Sequence, residues 1–323
     1  MKKFNKKYPL VYGHLHVAVK SISLLIVILI LQACSGGYVT SYKPLTKVET
    51  NDFCLTEKNK AVQPLTKSEQ QVLEDEHRAS DETTIALMLK KATYEIVSKA
   101  ESTEECDRIF QQGTAMFNDR IQQIRNNFAD KKSFKPAKDL QVFEVQKQIT
   151  DFWREDQSAR GSLVGLPETD PKKAGYWANR LATAHTIRTD SEATKYLRSL
   201  LDKYDWIDQK RFGKPVSAHA WILIQHADDH VDLQKEVLKR MEPYFKNGGV
   251  KPANYAYLWD RVAVNTGKKQ RYGTQPIWEC KNGQLELQPI ENRSEVNKLR
   301  KALGMNSVES ALAEMSQSVC GTN

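Results

Sequence analysis

The sequence predicts a mostly α-helical protein: a small helical N-terminal unit, then a multi-helix C-terminal domain with one β-hairpin near residues 271–290. Three observations predict it. Apolar residues recur at three- and four-residue spacing through most of the chain, as a helix with one buried face requires. Thr66-x-x-Glu69 and Ser102-x-x-Glu105 are capping boxes, in which hydroxyl and carboxylate satisfy free N–H groups at a helix start. Asn282-Gly283 separates two β-compatible runs, 271–279 and 284–290, and this dipeptide suits the positive-φ turn of a two-residue hairpin.

The first element is an export signal. Residues 1–33 carry five lysines and no acid, and an apolar run fills Ser21 to Leu31. A basic segment, a short apolar segment and a small residue before the cut describe a secretory signal. Leu31-Gln32-Ala33-Cys34 resembles the bacterial lipobox. That resemblance implies cleavage before Cys34, a diacylglycerol on its thiol and an acylated amine. More than one acyl chain gives stable anchoring. Ser35 stands where an aspartate resembles the inner-membrane retention signal, so the expected destination is the outer membrane, facing the periplasm. The competing reading, an uncleaved anchor starting near Leu10, would put His14, His16 and Lys20 in hydrocarbon.

Four cysteines remain: Cys54, Cys106, Cys280 and Cys320. An even number in an oxidising compartment reads as disulfides. Three pairings are open, and the economical one is Cys54–Cys106 with Cys280–Cys320, one bridge in each half of the mature chain. Free thiols are the alternative. No Cys-x-x-Cys spacing supports zinc.

Residues 34–65 read as a tether and lead-in segment, and 66–130 as a small helical unit. Ile85, Leu87, Leu89, Ala92, Ile96 and Val97 make one helical stripe. Cys106, Ile109, Phe110, Met116, Phe117, Ile121, Ile124 and Phe128 make the next. The basic stretch 131–138 (KKSFKPAK) is a linker, and all six tryptophans lie beyond it. A helix follows over about 139–160, with Val142, Val145, Ile149, Phe152 and Trp153 as its stripe. Pro167 and Pro171 place a loop at 161–174. Further helices are expected at 175–188, 190–204, 216–228, 232–246, 252–266, 293–303 and 307–318.

Charged residues are 27% of the chain and the formal net charge is +8. Without the first 33 residues, 43 basic side chains face 40 acidic ones, a net of +3. That balance does not favour nucleic acid, which needs a clustered basic face. A mean hydropathy of -0.59 excludes a polytopic membrane protein. No phosphate loop or dinucleotide fingerprint occurs, and Ser162 sits one place early for a nucleophile elbow. Nothing calls for a cofactor.

Several segments carry a resemblance. They are Asp156-Gln157-x-x-Arg160, Trp206, Gly213, the run Ala220–Asp228, Gln234, the run Tyr257–Val262 and the run Gln270–Gln275. Together, over about residues 145–310, they resemble the bacterial family catalogued as domain of unknown function 6624. The resemblance implies a domain and no reaction. The family pattern reads His-Asp after Gln-His-Ala-Asp, whereas this chain has Asp229-His230.

The polar residues within these segments are the site candidates. Gln225, His226 and Asp228 end an apolar helix. A helix C-terminus favours a protonated imidazole, which suits His226 to acid–base work with Asp228. The same trio fits a cluster that caps the turn. A metal held by His226 and His230 lacks the glutamate of His-Glu-x-x-His. Spacing of three and four puts Tyr257, Asp260 and Arg261 on one helix face. Arg261 would offer a planar donor fork to a carboxylate or phosphate. Alternation along a strand would send Gln270, Tyr272 and Thr274 to one face, and Arg271, Gly273 and Gln275 to the other. Asp156, Gln157 and Arg160 lie about one turn apart and would complete the pocket. The leading expectation is a non-catalytic envelope binding or structural module, whose partner is a polar ligand or an envelope protein. The alternative is an envelope hydrolase using His226 with Asp228 or Asp260, and Arg261 as electrostatic stabiliser.

Overall fold

The computed structural model describes residues 54, 63–74, 81–129, 134–164, 166 and 168–321. The signal segment, Cys34 and most of the tether lie outside the described residues. Eleven helices and one two-stranded antiparallel hairpin are described, so the protein is mostly α. The chain forms two compact units. The first takes in the described residues up to 129 together with 151–193, and the second 134–150 with 194–321.

The first unit contains α1 (Lys67–Glu74), α2 (Asp81–Lys99) and α3 (Thr103–Ala129). It also holds the later part of α4 (Leu140–Leu163) and the earlier part of α5 (Ala174–Tyr204). The first capping box closes in both directions, and the second forms its N-cap half while its carboxylate reaches one residue further back. Thr66 N–H donates to Glu69 Oε2 at 2.8 Å and Glu69 N–H to Thr66 Oγ1 at 3.2 Å. At the second, Glu105 N–H donates to Ser102 Oγ at 3.1 Å, while the Glu105 carboxylate reaches Glu101 N–H at 2.7 Å. Ile85, Leu89, Ala92, Ile96, Ile109, Phe117 and Ile121 are buried as their spacing requires, whereas Met116 is exposed. Phe110 meets Trp177 edge to face at 4.9 Å. Gly113 lets α3 approach α5 closely, because a Cβ there would lie 2.5 Å from the Ala174 carbonyl oxygen. The Cys54–Cys106 disulfide is fully buried in this core.

One helix replaces two expected ones: α5 runs unbroken through residue 189. Thr189 Oγ1 donates back to His185 O at 2.9 Å within the helix, and Asp190 is held by Arg160, so neither side chain is left to cap a new helix start.

The second unit holds the start of α4 and the end of α5. It continues with α6 (Gln209–Phe212), α7 (Lys214–His226), α8 (Val231–Lys246) and α9 (Pro252–Asn265). The hairpin β1 (Pro276–Lys281) and β2 (Gln284–Leu287) follows, then α10 (Val296–Ala302) and α11 (Val308–Cys320). The short α6 was not expected. Asp208 caps it, accepting from the N–H of Lys210 at 2.8 Å and of Arg211 at 3.1 Å. Trp206, Ile207, Phe212, Val216, Leu233 and Val237 fill the core.

The Asn282-Gly283 turn forms with both residues at positive φ, 51° and 76°. Strand pairing starts later than alternation suggested, at Pro276 opposite Leu287. Residues 271–275 are irregular. The N–H groups of Arg271, Tyr272 and Thr274 are taken by a buried carboxylate, and that of Gln275 by the Gln270 side chain, rather than by a neighbouring strand. Cys280 on β1 is bonded to Cys320 at the end of α11. Among the described residues, no helix is long and apolar enough to cross a membrane.

Candidate functional site

Helices α7, α8 and α9, with the segment 270–275, position most of the candidate residues. Ala220, Leu223, Ile224, Ala256 and Leu258 are buried, and this fixes how α7 and α9 are rotated. Asp260 and Arg261 are consecutive, so they leave α9 about 100° apart. The structure gives them different partners.

Asp260 is fully buried. Its Oδ1 accepts the N–H of Arg271 at 2.7 Å and of Tyr272 at 3.0 Å. Its Oδ2 accepts the N–H of Tyr272 at 3.2 Å, and the N–H and Oγ1–H of Thr274, both at 2.9 Å. Burial pushes the carboxyl above its ordinary value, and these donors pull against that. Gly273 sits within this wrap at φ 64°, where a Cβ would come 2.7 Å from Val308 Cγ2. Arg300, 2% exposed, closes the other side of the segment. It donates through Nη1 to Tyr272 O at 2.8 Å and Gly273 O at 3.3 Å, and through Nε to Asn306 O at 2.6 Å. Burial lowers its guanidinium from the ordinary value.

The amides of this segment are turned inward. Gln270 donates to Gln275 O at 3.1 Å and Gln288 O at 2.6 Å, and accepts from Gln275 N–H at 2.8 Å. Gln275 donates to Thr274 Oγ1 at 3.0 Å and Tyr257 O at 3.4 Å. Tyr272 is buried. Gln270, Tyr272, Thr274 and Gln275 therefore come together around Asp260, but as the anchorage of the hairpin on α9.

A second cluster gathers at the end of α7. Asp228 Oδ1 accepts Asn265 Nδ2 at 2.9 Å and Gln234 Nε2 at 3.2 Å. Arg261 Nη1 stands 3.4 Å from Asp228 Oδ2. Gln234 Nε2 also donates to Ile224 O at 3.1 Å, answering one of the carbonyls that a helix end leaves free. His226 is the last residue of α7, and His230 stands at the start of α8. Trp221 and Tyr257 meet edge to face at 6.0 Å. Three buried nitrogens on these two helices, Trp221 Nε1, Gln225 Nε2 and Arg261 Nε, have no hydrogen-bond partner among the described residues.

Asp156, Gln157 and Arg160 belong to the first unit. The buried Asp156 accepts Arg160 Nε at 2.9 Å and Gln157 Nε2 at 2.8 Å, and Arg160 Nη2 reaches both oxygens of Asp190 at 2.7 and 2.8 Å. Burial lowers and the two aspartates raise the Arg160 guanidinium, which ends above its ordinary value. Alongside, Glu155 accepts from His185 Nε2 at 2.6 Å and from Arg125. Burial acts to raise the Glu155 carboxyl, yet His185 and Arg125 hold it below the usual value.

Sequence reasoning missed Asn265, Arg300 and the Arg125–Glu155–His185 group. Asn265 had a signal, since it lies four residues after Arg261 on the same face. Arg300 lies four after the buried Val296, where a charge is not expected in the core. The third group joins residues 30 apart in sequence, which no local pattern marks. Among the described residues, no three His, Cys, Asp or Glu side chains are grouped to hold a metal ion.

Residues 169–319 match the model of DUF6624, a family of unknown function. The matched stretch includes α7 to α10, the hairpin and α11 as far as residue 319, and begins after Asp156, Gln157 and Arg160. No curated protein and no solved structure matches the chain.

Proposed function

We propose that this protein is a lipid-anchored envelope module, exported, acylated at Cys34 and held on the outer membrane facing the periplasm. Its C-terminal domain binds a polar ligand or envelope component and carries out no chemistry on it. The observation that carries the non-catalytic reading is the state of Asp260. A general acid or base must exchange a proton with a substrate at hydrogen-bond distance. Asp260 is instead fully buried, and both of its oxygens accept from Arg271, Tyr272 and Thr274. A side chain so enclosed shapes the domain. Export is supported by the sequence at Leu31–Cys34 and by the two disulfides, which leave no other cysteine unpaired.

Labelling cells with radioactive palmitate tests the anchor. Wild type should incorporate label into a membrane-pelleting band. Cys34→Ser should lose the label and accumulate unprocessed. Equal labelling of the two would overturn the anchor.

A further inference from the structure

We infer that the face between α7 and α9 binds a carboxylate carried on an otherwise neutral ligand. This deepens the binding reading above and rests on it. Buried polar groups in folded proteins are almost always hydrogen-bonded. Trp221 Nε1, Gln225 Nε2 and Arg261 Nε are buried without a partner among the described residues. Two of them lie on α7 and the third on α9. Trp221 and Gln225 are one turn apart on α7, as Tyr257 and Arg261 are on α9. The Trp221–Tyr257 ring contact at 6.0 Å joins one end of this face, and the Arg261–Asp228 pair at 3.4 Å joins the other. Gln225, only 5% exposed, lies between the two contacts along α7.

All three groups are N–H donors, so their complement is a group that only accepts. A carboxylate brings two acceptor oxygens and no donor. Arg261 turns Nη1 toward Asp228, which leaves its Nε edge to an incoming oxygen pair, the side-on geometry in which guanidinium binds carboxylate. Asp228 also limits the charge. It is shared among Arg261, Asn265 and Gln234, and one further negative charge can be accepted beside it more readily than the two of a phosphate dianion. The rings of Trp221 and Tyr257 supply an apolar wall for the neutral remainder of the ligand.

Calorimetric titration of the full chain in detergent tests this, with lactate, lactamide and inorganic phosphate as probes. Lactate should saturate at one per chain. Lactamide, the same body without the anion, should bind at least about tenfold more weakly, as should phosphate. Gln225→Leu and Arg261→Lys should each lose about tenfold for lactate. Arg261→Lys keeps a cation beside Asp228 but lacks the Nε edge, so an unchanged urea midpoint will show that it remains folded. Lactamide equal to lactate would leave a binding module and overturn the carboxylate. Phosphate binding more tightly would overturn it too. No saturable binding of any probe would overturn the site itself, while the palmitate result for the anchor would stand separately.

Discussion

Each unit holds a carboxylate largely out of water, the partly buried Glu155 in the first and the fully buried Asp260 in the second, and the two are answered in different ways. Glu155 in the first unit is answered by two side chains, those of Arg125 and His185. Asp260 in the second is answered by three backbone N–H groups and one hydroxyl. A cation partner cancels charge and can be exchanged for another arrangement of long side chains. A ring of backbone donors fixes the path of the main chain. The difference teaches what each residue is for. Glu155 ties together three helices that are already regular. Asp260 creates a structure, the wrap at 271–274, that has no hydrogen-bonded strand of its own.

Removing each carboxylate sharpens that contrast. Asp260→Ala should have the largest effect, about 4 kcal/mol in urea unfolding, because several buried donors would be left unanswered at once. A loss below about 1 kcal/mol would show that the segment holds its shape without the carboxylate.

The disulfides should come next and should not distinguish the units. Cys280→Ser with Cys320→Ser, and Cys54→Ser with Cys106→Ser, close sequence separations of 40 and 52 residues. The chain-entropy estimate for such loops is about 4 kcal/mol each before relaxation of the native state, so measured losses should fall at or under that value. Thermal melts of the two double variants check this. A loss confined to one pair would mean that the other loop is already ordered when unfolded.

The smallest effect should be the one that depends on pH. The Glu155 carboxyl is held below its ordinary value in the folded protein, so the stability it contributes is complete above the unfolded value, about 4.3, and is lost as pH falls through the folded one. Glu155→Gln should cost about 2 kcal/mol at neutral pH and progressively less on acidification. Urea midpoints from pH 7 to 3 for wild type and variant should therefore converge. Parallel lines would show that Arg125 and His185 do not govern this carboxylate.

Much of the fold was legible in the sequence because its causes are local. Thr66 and Glu69 meet across three residues, Asn282 and Gly283 need no distant partner, and the apolar stripe of α2 repeats at its own period. The misreadings share an opposite cause. Thr189 and Asp190 look like a helix boundary until Arg160, thirty residues away in sequence, is seen to hold Asp190. Gln270, Tyr272 and Thr274 alternate like strand residues, but Asp260 takes the N–H groups of Tyr272 and Thr274 from the preceding helix. The spacing of Tyr257, Asp260 and Arg261 showed that they share a helix surface, but not that the last two diverge to separate partners.

By itself the sequence determined the helical class, the hairpin turn and the candidate polar residues, because periodicity, capping and turn chemistry act over a few residues. Only the tertiary structure decided which of those residues are spent. Burial and pairing depend on what packs alongside: Asp260 is enclosed by its own domain, while Arg261, one residue on, keeps a buried N–H without a partner among the described residues.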